Sequence, residues 1–193
     1  DDLAYIPLYV LLNNNREVKA FKENQENLLF IDKLFVWNGD SSIFFAMVKS
    51  LEDKVNVEND TQIGLVKVIL LVEDSEIYYS RYLPLLYSNV MEQTRRIIEE
   101  VSTDELFKVL RLRARPKILL AANYEEATDI INKYSDSLLC LITDVKFNKG
   151  GVLDEQAGFQ LVRQVKEQFR GLPTIIQSSD PQNSRMAFEL KPI

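Results

Sequence analysis

Residues 66–75 read Val-Lys-Val-Ile-Leu-Leu-Val-Glu-Asp-Ser, an apolar run that ends abruptly on two acids. A second run, Leu-Leu-Cys-Leu-Ile-Thr at 138–143, ends the same way on Asp144. Strands that are apolar throughout are buried on both faces, as in a parallel sheet flanked by helices. Ligands of such sheets sit at the carboxyl ends of the strands. Three carboxylates brought there repel one another unless a cation or a proton intervenes. Oxygen donors alone suit a hard cation, and magnesium is the natural expectation.

The segments around these runs alternate between strand and helix. KILLAA (117–122) and PTIIQSS (173–179) predict two further strands. YEEATDIINKY (124–134) and AGFQLVRQVKEQF (157–169) predict helices between them, the second closed by Gly171. A long helical stretch covers 76–101, with Ile77, Leu83, Leu86, Val90, Ile97 and Ile98 recurring along it and Pro84 marking a kink or the first turn. Residues 104–112 predict a short amphipathic helix, and 182–190 a last helical fragment. Lys149-Gly150-Gly151 reads as a mobile loop. Alternating strands and helices indicate βαβ units.

Ahead of this unit, YIPLYVLL (5–12) reads as a buried strand ending at Asn13-Asn14-Asn15. Residues 17–28 are compatible with a helix. LFVW (34–37) is a short strand, and Asn38-Gly39-Asp40 a turn. Ser41 or Ser42 then caps a helix through IFFAMVKSLEDK (43–54), and NVENDT (56–61) reads as a linker. The chain therefore divides into residues 1–64, strand–helix–strand–helix, and residues 65–193, a fuller repetition of the same pattern.

Composition narrows the function classes. Of 193 residues, 46% are hydrophobic and 27% charged, an ordinary globular balance. No apolar run is long enough for a membrane span, and no signal peptide opens the sequence, so a cytoplasmic location is the expectation. The net charge of −6 argues against nonspecific nucleic-acid binding. The basic cluster Arg111, Arg113, Arg115 and Lys117 reads as a solvated helix end and strand start. With one cysteine there is no internal disulfide, and Cys140, inside an apolar strand, reads as a buried, inert thiol. There is no histidine. The chain can supply neither a Ser-His-Asp triad nor a histidine metal ligand, and it cannot be its own phosphohistidine donor.

The ordered set of Glu73-Asp74 after one strand, Asp144 after another and Ser178 near the end of a third resembles the receiver domain of two-component response regulators, over about 66–190. The resemblance implies a flavodoxin-like doubly wound α/β sheet, preceded here by a partial, degenerate receiver-like unit. It implies that Asp144 accepts a phosphoryl group from a histidine kinase. Glu73, Asp74, Asp144 and the backbone carbonyl of Lys146 would hold Mg2+, Glu73 mostly through metal-bound water. The Ser178 hydroxyl would donate to a phosphoryl oxygen. Receivers also carry a lysine after a fifth strand. Lys191-Pro192 imitates that dipeptide, but it follows Ser178 too closely, so the lysine and its strand are expected beyond residue 193.

The combination of VEDS, RPKILLA, a strand into TDV, an AG-started helix and IIQSS looks like a narrower group. These are receiver-like regions ahead of phosphoenolpyruvate synthase or pyruvate phosphate dikinase-type modules, which implies a C-terminal output module and no enzymatic activity in this chain. Asn13 or Asn14 stands where a Ser/Thr would in the first unit. The stretch 76–113 is expected to pack on the first unit or on a second copy, as in a homodimer. Competing readings stay open: Glu73-Asp74 as helix charge-matching, Asp144 as a turn residue, Ser178 as a helix cap, and the whole as a pseudo-receiver that binds protein without phosphorylation. A magnesium-dependent phosphatase or nuclease needs an Asp-x-Asp pair, and Lys146 stands at its second position.

Overall fold

Residues 7–23, 29–101, 114–183, 185 and 186 are described in the computed structural model of the chain. The elements run β1 (Tyr9–Leu12), α1 (Asn15–Glu23), β2 (Lys33–Val36), α2 (Ser42–Gln62), β3 (Val68–Val72), α3 (Glu76–Val101) and β4 (Lys117–Ala121). They continue with α4 (Tyr124–Lys133), a 3-10 turn (Ser135–Ser137), β5 (Leu138–Asp144), β6 (Phe147–Lys149), β7 (Val152–Asp154), α5 (Ala157–Gln168) and β8 (Thr174–Gln177). The sequence stretches 104–112 and 187–190, and Lys191, lie outside the described residues.

The opening run becomes the centre of a four-stranded parallel sheet, ordered β4-β3-β5-β8. All five residues of β3 are buried. Val68, Leu70 and Val72 join Leu119, Leu141 and the buried side chains Ala127 and Ile131 of α4 and Leu161 and Val165 of α5. Ile69 and Leu71 join Ile118 and Ile142 on the other face, against Ile43 of α2, Phe35 of β2 and Tyr79, Leu83 and Tyr87 of α3. This is the mixed α/β architecture expected of an apolar parallel strand, which alternates its side chains between two covered faces. In β5 the pairing shifts by one residue between Leu138 and Cys140, and Leu139, left over at that bulge, is exposed. Cys140 is half-buried rather than fully buried, and burial pushes its thiol up, which disfavours the reactive thiolate.

β1, β2 and α2 pack directly on this sheet. β1 and β2 form a parallel pair. The Tyr79 hydroxyl donates to the Leu34 carbonyl, and the Val36 N–H donates to Ser80 Oγ at 2.9 Å. The long helix α3 therefore does dock on the first unit, with Pro84 inside it.

Three stretches depart from the sequence expectation. The stretch 56–61 is not a linker, because α2 continues through it to Gln62. Its charged residues hid a buried stripe: Asp53, Val57 and Thr61, four apart, are all buried on one face. Arg115 and Lys117 are not solvated. Both are 2 % exposed, and they meet acids of α2. Arg115 forks onto Asp53 at 2.7 and 3.0 Å, and Lys117 reaches Asp60 at 2.7 Å. Asp53 also accepts from the Ile118 N–H (2.9 Å) and the Tyr87 hydroxyl (3.1 Å), so it caps part of the outer edge of β4. Arg111 and Arg113 lie outside the described residues. Finally, Lys149-Gly150-Gly151 is no loose loop but the turn of the β6–β7 hairpin. Gly150 (φ 61°) and Gly151 (φ 77°) supply the two positive φ angles that a type I′ turn requires.

Candidate functional site

β3 and β5 are neighbours and run in the same direction, so the residues at their carboxyl ends converge on one edge of the sheet. The Glu73 N–H still bonds the Ala121 carbonyl (3.0 Å), extending the ladder one residue past β3. That bond carries the Glu73 side chain into the protein, at 2 % exposure. Asp74 and Asp144 are half-buried beside it. One carboxylate oxygen from each of the three lies within 4.8 Å of the others. Glu73 Oε1 accepts the Ser75 N–H at 3.1 Å, and Asp144 Oδ2 accepts the Lys146 N–H at a long 3.4 Å.

The electrostatics are those of an uncompensated acidic corner. Burial pushes the Glu73 carboxyl up to about 8 against its Ser75 hydrogen bond, and Asp144, Asp74 and Glu76 add to the rise. Burial also raises Asp74, with Asp144 and Glu76 acting in the same direction and Lys22 against. Asp144 is raised by burial and held back by the Val145 and Lys146 N–H groups. Among the described residues, none of the three acids forms an ion pair. Lys22 goes to Glu76 (2.6 Å) and Lys146 Nζ to Glu155 (2.8 Å). Charge balance therefore comes from protons or from a bound cation. An all-oxygen set of three converging carboxylates fits a hard divalent ion such as Mg2+.

Two features beside Asp144 carry no local signal in the sequence. Gly158, in the first turn of α5, donates its N–H to the Val145 carbonyl at 3.0 Å. A Cβ there would stand 2.0 Å from the Asp144 carbonyl oxygen and 2.9 Å from Val145 Cα, so only glycine lets the helix approach this closely. The other feature is Gln177, the register partner of Asp144 on β8. Its Nε2 is buried without a hydrogen-bond partner among the described residues. Strand register, which no local pattern reveals, is what brings it to this corner.

Of the residues singled out from sequence, Glu73, Asp74 and Asp144 come together, and Lys146 touches Asp144 through its N–H. Ser178 stands one position beyond Gln177 and is exposed. Its hydroxyl accepts from the Asp180 N–H (3.0 Å) and from Asn183 Nδ2 (2.8 Å), a turn-closing arrangement. The fold and site together define an α/β protein with an acidic cluster at the carboxyl end of a parallel sheet. No protein-family model, curated protein or solved structure matches the chain. No helix among the described residues is long and apolar enough to cross a membrane.

Proposed function

We propose that the chain is a flavodoxin-like receiver unit of a two-component pathway, in which Asp144 accepts a phosphoryl group from a separate histidine kinase. The observation that carries this reading is the meeting of Glu73, Asp74 and Asp144 within 4.8 Å on adjacent parallel strand ends. The strand order β4-β3-β5-β8 also suits it, because the acidic pair follows the strand next to the one that ends on Asp144. An Asp144 carboxylate oxygen would attack phosphorus, the phosphorus–nitrogen bond of the donor would break, and an acyl phosphate would form. Glu73, Asp74, Asp144 and the Lys146 carbonyl would hold Mg2+, which when bound offsets the carboxylate charge and the negative charge on the transferring oxygens. Gln177 Nε2, without a partner among the described residues, is available as a donor to a phosphoryl oxygen. Ser178 could serve the same purpose only by leaving its turn. Residues 1–64 would be a partial receiver-like unit. Its location would be the cytoplasm, and its output a C-terminal module of the phosphoenolpyruvate synthase type.

The test is incubation with acetyl phosphate and magnesium, read by intact mass and by peptide mapping, in the native chain and in Asp144→Asn. A magnesium-dependent gain of one phosphoryl group on Asp144, absent from the variant, is expected. Label that persists in Asp144→Asn assigns the wrong acid. No label from acetyl phosphate or from any histidine kinase favours the alternative, a pseudo-receiver that binds protein. The engaged Ser178 hydroxyl, and the proton that Glu73 can hold at neutral pH, are the observations on that side.

A further inference from the structure

A cavity of about 490 Å³ lies along the outer edge of β4, on the side away from β3. α2 and the β1–β2 pair form one wall, and α4 the other. Its volume falls within the range of small-molecule sites. The lining is apolar where Val57, Ile118, Leu119 and Ile130 contribute. In the β3–β4 ladder, the Lys117 N–H and the Ala121 carbonyl point at β3. By alternation, the peptide groups of Ile118 and Leu120 point away from it, toward the cavity edge. Asp53 takes the Ile118 N–H. No described residue takes that of Leu120.

The charges of this cavity are unevenly settled. Lys33 is half-buried at its wall, with its ammonium 5.6 Å from the centre of the Tyr79 ring. Lys54 lines the same cavity from α2. Burial, with the nearby Lys54 charge adding to it and a weaker pull from Glu126 opposing, lowers the Lys33 ammonium to about 8. Neither lysine forms an ion pair among the described residues. The third lysine, Lys133, is taken by Glu58 at 2.9 Å. The acids on the walls are placed differently. Asp32 accepts the Leu8 N–H (2.8 Å), Glu126 accepts the Ala122 N–H (2.8 Å), and Asp129 is exposed to water at the rim. Lys33 and Lys54, close enough for their charges to interact, border a cavity that is apolar along Val57, Leu119 and Ile130, the complement of an anionic head on an apolar body.

We propose that this cavity binds a small organic oxyanion, a carboxylate or phosphate carried on an apolar group, with Lys33 and Lys54 taking the anionic head. The apolar group would lie on Val57, Leu119 and Ile130, and the Leu120 N–H would donate to the ligand. The site is separate from the acidic corner, since it lies on the opposite side of β4 from β3, and it does not depend on the phosphoacceptor reading.

The full chain is titrated with octanoate, phenyl phosphate and neutral octanamide, followed by calorimetry and by amide chemical shifts. Saturable shifts centred on Leu120 and Lys33 are expected with at least one anion, and the stronger of the two identifies the head group. A charge-assisted contact is commonly worth about a factor of ten. Lys33→Met and Lys54→Met should therefore each weaken binding roughly tenfold, and octanamide should bind at least that much more weakly. Lys54 is exposed, so its variant keeps the test valid if Lys33→Met does not fold. Binding in Asp144→Asn should equal that of the native chain. Equal binding of octanamide, unchanged binding in the lysine variants, shifts centred elsewhere, or no saturable shift with either anion would each overturn the proposal.

Discussion

Glu73→Gln isolates the electrostatics of the acidic corner. The substitution keeps the size of the side chain and an acceptor for the Ser75 N–H, and removes only the charge. In the folded chain the Glu73 carboxyl ionises near pH 8, against an ordinary value of 4.5. Between those values the folded state holds a proton that the unfolded state has released. Stability is therefore fully present below pH 4.5, falls by about 1.4 kcal/mol per pH unit as pH rises, and levels off above pH 8. The integrated loss is on the order of 5 kcal/mol for this side chain, which at 2 % exposure is little screened by solvent. Glutamine abolishes it. Urea unfolding between about pH 5 and pH 9, with a chelator present, should find native and variant alike at the acid end. The variant should then be more stable by several kcal/mol at the alkaline end. Asp74 and Asp144, also raised, contribute a slope that both proteins share. Added magnesium should recover stability in the native chain at alkaline pH, because the ion takes the place of the lost protons, and its affinity should rise with pH through about 8. Native and variant curves that stay parallel across the whole range would refute this account of the corner.

Gly158→Ala should displace the Asp144–Val145 backbone, since its Cβ has no room beside the Asp144 carbonyl. A loss of about 1–3 kcal/mol in unfolding free energy is expected, together with loss of any magnesium-induced amide shifts at Asp144. Asp53→Ala should cost roughly 3–5 kcal/mol by denaturant unfolding, because it leaves the buried Arg115 only a long 3.9 Å pairing with Glu52; a loss below about 1 kcal/mol would mean the network does not hold α2 to β4. Gln177→Leu should leave stability within about 1 kcal/mol, since its Nε2 has no hydrogen-bond partner to lose among the described residues. The same variant should slow acetyl-phosphate labelling of Asp144, and an unchanged labelling rate would remove Gln177 from the site.

The acidic corner was legible because it depends on two local facts: an apolar run long enough to be a buried strand, and the acid that ends it. Adjacent parallel strands deliver their carboxyl ends to one edge of a sheet whatever the loops between them do. The helices of the second unit were legible for a similar reason, since stripes such as Ala127 and Ile131, or Leu161 and Val165, repeat at helical spacing.

The features that failed to read locally depend on partners distant along the chain. The stretch 56–61 looked like a linker because Glu58, Asn59 and Asp60 are polar. Arg115 and Lys117 looked solvated because they are charged. Each acquires its role only from the other, when α2 docks beside β4 and Asp53 and Asp60 meet the two cations in the interior. Gln177 becomes a neighbour of Asp144 through strand register, and Gly158 becomes irreplaceable through a close helix–strand approach. The sequence by itself determined the strands, most of the helices and the three acids, because short-range periodicity and strand termini encode them. Only the tertiary structure decided which charges are buried, which strand edge is left open and what faces it, because these depend on contacts between residues far apart in the chain.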